Sequence, residues 1–361
     1  VNRAIGRAVS HVRHPDLASK RLEQEHRFTI SPMSSDARQD ASRRGCPMRF
    51  EDIVSDVPTL ADEHDDRHRL SAESHAREAA AFMFALPEKG LAGFLYPWVD
   101  NKGLAGSAVC LFGPSLAEPV KERFEEVPVP DSMTFHDWQV SGLTMRLGEP
   151  HRSVDLSFQG QRVQIECHYE AMHPPYAFSS HEDGCPSYYA DDRTEQHGRL
   201  TGTLTIDGTR HEIDTFMQRD HSWGTRIWGL NQHYKWFHAT TASAAVHFFE
   251  MQSFGRTLLR GYVFKDGRMS EIRSVRYDFV YDDNMHHESI DVVAVDAAGR
   301  TTAIASKVFA KFQYDADPMI MLNEGATIVE IEGETGSGWC EFCWNMTYYQ
   351  FARQHVAQFG K

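Results

Sequence analysis

The 361-residue sequence predicts an all-β protein, and three observations carry that prediction. Short apolar runs recur from residue 79 to residue 351 with Gly, Pro, Asn and Asp between them; at roughly ten-residue spacing they suggest a sandwich or barrel rather than βαβ units. Asp207-Gly208 separates two β-rich runs, 200–206 and 211–217. Both central residues of a type I′ turn need φ > 0, so Asp-Gly between such runs marks a hairpin. Similar arrays fill both halves of a chain long enough for two domains with substantial cores.

Residues 1–50 are rich in Ser, Arg, Asp and Gln and poor in aromatics, with only a short helical stretch at 17–25, and are expected to form a flexible arm. Met33 could mark a natural start, with residues 1–32 an upstream extension. The segment 51–77 is dense in charge and carries His64, His68 and His75 among Asp62, Glu63, Asp65 and Asp66. No ligand spacing repeats there, so a solvated helical or loop segment is expected rather than a metal cluster. Strands follow at 81–85, 93–98, 106–112, 134–145, 153–158 and 163–169. The stretch 172–193 breaks the pattern and is long enough for a lid or rim. Further strands are expected at 233–239, 244–252, 257–264, 272–281, 288–295, 302–312, 325–333 and 339–351, with turns at Asp266-Gly267 and Ala298-Gly299. A division near 195–205 gives a first β-domain at 51–198 and a second at 199–361.

Composition narrows the function. The net charge is −14, and residues 1–50 hold ten Lys and Arg against five acids, which leaves the remainder near −19. Nucleic acid and anionic membrane surfaces reward clustered cations, so neither is expected as the main partner. No 18-residue apolar run could span a membrane, and no apolar stretch follows Arg43-Arg44 as an export signal would require. Cys340 and Cys343 form a lone CxxC within a strand-like pattern; buried thiols in a reducing cytoplasm are the expectation. The 20 histidines match no H-E-x-x-H or closed zinc pattern, and no G-x-G-x-x-G, P-loop or G-x-S-x-G is present. Neither metal nor cofactor is expected.

The chemistry concentrates at 218–229, Gln-Arg-Asp-His-Ser-Trp-Gly-Thr-Arg-Ile-Trp-Gly, into which the returning hairpin strand runs. Asp220-His221-Ser222-Trp223-Gly224, with Arg219 before it and Trp228-Gly229 after it, resembles the signature of the carotenoid-hydratase/AttH-like superfamily. The closing 336–341, Gly-Ser-Gly-Trp-Cys-Glu, supports the resemblance. It implies two consecutive lipocalin-like β-barrel or sandwich domains, the second carrying the motif. It also implies cofactor-independent acid chemistry on a carbon–carbon double bond of an isoprenoid, terpenoid or steroid-like substrate, as hydratase, dehydratase, isomerase or cyclase. The family's Asp is thought to protonate the double bond, and Asp220 is the matching residue. Family members tend to carry an aromatic two positions earlier, where this chain has Gln218.

Read from the residues, Asp220 is the candidate acid and His221 its partner or a base. Desolvation among rings raises a carboxyl pKa, and Trp223, Trp228, Tyr234 and Trp236 supply rings that could also stabilise a carbocation. His238 alternates with Tyr234 and Trp236 on one strand face, and Glu341 lies between Trp339 and Cys343 on another. A charge on so apolar a face is expected to be paired with Arg or functional. Along an unbroken strand Asp220 and His221 point to opposite faces, so one of them is structural unless a bulge intervenes. A second reading makes 219–221 a buried ion-paired clasp in a non-catalytic carrier of a hydrophobic ligand. The expected partner in both readings is a lipophilic small molecule; the oligomeric state is open, a homo-oligomer included.

Overall fold

The computed structural model describes residues 49–360. The expected arm, apart from its last two residues, and its helical stretch lie outside the described residues. The described residues form one compact unit.

After the short β1 (Val54–Ser55) come β2 (Ala76–Leu86), β3 (Leu91–Asp100), β4 (Leu104–Phe112), β5 (Val120–Pro128) and β6 (Trp138–Val140). They are followed by β7 (Leu143–Leu147), β8 (Ser153–Gln159), β9 (Val163–Ala171), β10 (Tyr176–Ala177), β11 (Asp192–Ile206) and β12 (Thr209–Thr225). These last eleven make one sheet, ordered β5-β4-β3-β2-β12-β11-β9-β8-β7-β6, with β10 on β11. It curls until its far strands meet, and Ser107 Oγ on β4 donates to the Val140 carbonyl on β6 at 3.2 Å.

The second sheet comprises β13 (His233–Thr240), β14 (Ala245–Ser253), β15 (Arg256–Lys265), β16 (Arg268–Tyr281), β17 (His287–Asp296), β18 (Thr301–Asp317), β19 (Ile320–Ile331) and β20 (Glu334–Asn345). Its order is β16-β15-β14-β13-β20-β19-β18-β17, and β17 pairs back onto β16 to close an eight-stranded barrel. β1 adds parallel to β16. The all-β expectation holds, and the Asp207-Gly208 turn is present with φ of 48° and 81°, joining Ile206 to Thr209.

Three apolar cores explain the strand patterns. Phe82, Phe84 and Leu86 of β2 enter the core of the first sheet, whereas Ala81, Met83 and Ala85 enter a middle core shared with the second sheet. β2 is therefore buried on both faces and reads as a continuous apolar run instead of alternating. β13 works likewise: Tyr234 and Trp236 face the middle core, Phe237 and Ala239 the interior of the barrel.

Two expectations change. The division at 198/199 falls inside β11, and the motif strand β12 pairs with β2 and β11, so by sheet membership the motif belongs to the first sheet and the change of sheet comes after Thr225. The closing stretch 339–351 is not all strand: β20 stops at Asn345, whose side chain accepts from the Thr347 and Tyr348 amides and caps helix α1 (Met346–Phe359).

Candidate functional site

β12 pairs with β11 and β2 without a register break through the motif. No bulge re-aims a side chain, so Gln218, Asp220 and Ser222 face one side and Arg219, His221 and Trp223 the other. Asp220 points into the space between the sheets. His221 packs edge-on against Phe135 of the first core, with ring centroids 5.3 Å apart.

That second side is a structural cluster. Arg219 Nη2 lies 2.6 Å from Asp65, His221 Nε2 lies 2.8 Å from Glu78 Oε1, and His68 Nδ1 meets the same oxygen at 2.8 Å. Trp223 stacks flat on the His68 ring at 3.6 Å. His221 is thus not the partner of Asp220, and Trp223 is not a wall of its cavity; the strand's two-residue period puts both on the wrong face. The 51–77 segment is also less solvated than expected, because Asp65 is buried against Arg219 and His151.

Between the sheets lies a cavity of about 1130 Å³ of empty space, its open mouth included. Met83, Phe94, Tyr96 and Trp98 line it from the first sheet, Trp236, Phe312, Tyr314 and Leu322 from the second, and Tyr189 and Trp228 from the connections. Arg77, Arg226 and, at the exposed rim, Lys121 and Arg123 add positive charge. Large apolar walls with a few convergent polar groups are the usual form of a small-molecule site.

Four carboxyls line this cavity: Glu122, Asp220, Glu324 and Glu341. Asp220 Oδ2 is paired with Arg193 at 2.9 Å, and Arg193 Nε donates to Glu195 at 2.5 Å behind it. Burial raises the Asp220 pKa, opposed by Arg193 and Arg226. Glu341, expected to be either paired with Arg or functional, accepts from the Tyr234 hydroxyl. It stands directly opposite Glu324 on the neighbouring strand. Glu324 accepts from Trp339 Nε1 at 2.6 Å, and burial together with the Glu341 charge pushes its pKa well above the ordinary range. Burial and the facing Glu341 thus both favour the protonated form of Glu324.

A family model described as a domain of unknown function, DUF7064, matches residues 61–346. The chain belongs to the DUF7064 family. No curated protein sequence matches it. Among solved structures, a protein described as an AttH of Nitrosomonas europaea superposes with a TM-score of 0.55 at 11% identity, over 74% of this chain and 92% of that one. Kievitone hydratase from Nectria haematococca gives 0.54 at 10%, over 80% and 94%. CghA, whose structure with Sch210972 is also known, gives 0.56 at 11%, over 75% and 88%. At these identities the likeness establishes a shared AttH-like fold.

In this DUF7064 chain, Asp220, Trp228, Tyr234, Trp236 and Glu341 meet at one cavity, as the sequence suggests, while His221 and Trp223 do not. His238 is also absent from its lining. It sits one layer deeper, fully buried, with Nε2 3.5 Å from Glu195 Oε2. Among the described residues, two sets of side chains stand close enough to share a metal ion: His68, Glu78 and His221, and Glu195, His238 and His247. Motif reading misses Arg193, Glu195 and Glu324. A signal for two of them existed in the turns. Counting back equally from Asp207-Gly208 pairs Asp220 with Glu195, and counting back from Glu332-Gly333 pairs Glu341 with Glu324.

Proposed function

We propose that this DUF7064 protein is an acid–base enzyme acting on a carbon–carbon double bond of a lipophilic molecule, isoprenoid, terpenoid or steroid-like, as a hydratase, dehydratase, isomerase or cyclase. One observation carries the reading: Glu324, a buried carboxyl opposite Glu341, stands at the wall of an aromatic cavity, and both surroundings favour its neutral form. Protonating an alkene needs such a neutral acid in a dry place.

In this reading Glu324 delivers the proton and Glu341, hydrogen-bonded to Tyr234, receives the next one. Asp220 stays on Arg193 and offers negative charge to the developing cation, with the faces of Trp236 and Trp98 beside it. Capture of the cation by water, by a second double bond or by loss of a neighbouring proton then gives hydration, cyclisation or isomerisation. A hydratase among the proteins of like fold accords with this chemistry.

The test is incubation of wild type, Glu324→Gln and Asp220→Asn with a terpenoid and lipid extract in D₂O, followed by mass spectrometry. Deuterium or the mass of water entering one compound with wild type, and a fall on the order of 10²–10⁴ with Glu324→Gln, is expected. A compound retained unchanged by all three proteins would replace the enzyme with a carrier.

A further inference from the structure

Glu195, His238 and His247 occupy the layer directly behind the cavity wall, and all three are fully buried. Glu195 comes from β11 of the first sheet, His238 and His247 from the facing strands β13 and β14 of the second. Glu195 Oε2, His238 Nε2 and His247 Nε2 each lack a hydrogen-bond partner, and a ligand atom of each lies within 4.8 Å of the others. Three orphaned polar atoms close together deep in a protein carry a large desolvation cost unless something sits between them.

The spacings say what that is. His238 Nε2 stands 3.5 Å from Glu195 Oε2, and His247 Nε2 stands 3.7 Å from Oε1. Both exceed the hydrogen-bond range of about 2.7–3.2 Å. Two ligands each about 2.05 Å from a tetrahedral ion lie about 3.4 Å apart. The other histidine–glutamate group shows the contrast: in it, both imidazoles meet Glu78 at 2.8 Å, which is hydrogen bonding.

The outer contacts fit as well. His247 Nδ1 donates to the Phe237 carbonyl at 3.2 Å, which leaves Nε2 as a bare lone pair. His238 Nδ1 meets His197 Nε2 at 2.9 Å, and Glu195 Oε1 accepts from Trp236 Nε1 at 2.8 Å and from Arg193. Ligating histidines and carboxylates are held by such second contacts.

We propose that the Glu195 carboxylate, His238 Nε2 and His247 Nε2 bind one divalent cation of the zinc class, with water in the fourth position, and that this ion staples the two sheets behind the cavity. Nitrogen-rich ligation with one carboxylate suits zinc better than magnesium or calcium. The ion holds Glu195, and through it the Arg193–Asp220 pair, in place. This assignment does not depend on the acid–base reading.

The test uses the full chain, made without a polyhistidine tag. Metal analysis of wild type is expected to find about one zinc per chain. Refolding from chelator with Co²⁺ in place of zinc should give a visible absorption band of low-coordinate cobalt and a raised melting temperature. His247→Gln and Glu195→Gln should lose the metal and the band, and His68→Gln should keep both. If His247→Gln fails to fold, the wild-type zinc content and cobalt spectrum still decide. Wild type refolded in excess Zn²⁺ or Co²⁺ with neither bound metal nor a band overturns the proposal. So does metal kept in His247→Gln and lost in His68→Gln.

Discussion

Asp220 and Glu324 are both buried carboxyls on one cavity, and their different neighbours set different roles. Arg193 stands against Asp220, while Glu324 faces Glu341 and a tryptophan N–H. Burial opposes the Arg193 charge, but Asp220 and Glu195 together hold its pKa well above the ordinary value. Removing that cation takes the ion-pair partner from two buried carboxyls, so Arg193→Met should cost about 3–5 kcal/mol in denaturant unfolding. A loss under about 1 kcal/mol would mean that the pair is not buried as described. The pKa of Glu324 lies above its unfolded value of about 4.3, so its stability contribution is full below that pH and is lost as pH rises through the raised value. Glu324→Gln, neutral at every pH, should therefore gain on wild type in melting temperature as pH rises. Turnover of wild type should fall over the same alkaline limb, because the acid form disappears there. A pH-independent difference in melting temperature would contradict the assignment.

The hairpin β11–β12 is the element that builds the site. Its turn sets the register, the register places Glu195 opposite Asp220, and the two-residue period sends His221 away. Gly224 ends the motif with φ of 108°, where a Cβ would lie 2.4 Å from the Asp191 amide nitrogen. Gly224→Ala combines that clash with backbone strain and should cost about 1–3 kcal/mol. An unfolding free energy unchanged within about 0.5 kcal/mol would show that the strand end relaxes freely. At the chain's far end, Asn345→Ala removes the cap of α1 and should cost about 1 kcal/mol, with a matching loss of helical circular dichroism.

For the whole molecule, the cavity exists because two curled sheets pack face to face and share a middle core. Arg123 Nη1 on β5 donates to the Tyr314 hydroxyl on β18 at 2.8 Å and joins the two rims of the mouth. Arg123 is exposed, so Arg123→Ala should leave stability within about 0.5 kcal/mol. Release of a bound lipophilic ligand should quicken in stopped-flow exchange, and an unchanged rate would show that this contact does not gate the mouth. Strand periodicity and Asp-Gly chemistry are local properties, so the all-β class, the hairpin and the opposed faces of Asp220 and His221 could be read before any coordinates. The shared strand face of Tyr234, Trp236 and His238 could be read for the same reason, but not which of them reach the cavity. What could not be read depends on contacts between residues far apart in the chain. Arg193 beside Asp220, Trp223 stacked on His68, β12 in the first sheet and Glu195 facing two histidines of the second arise only when the sheets close, since packing across sheets leaves no period in the sequence.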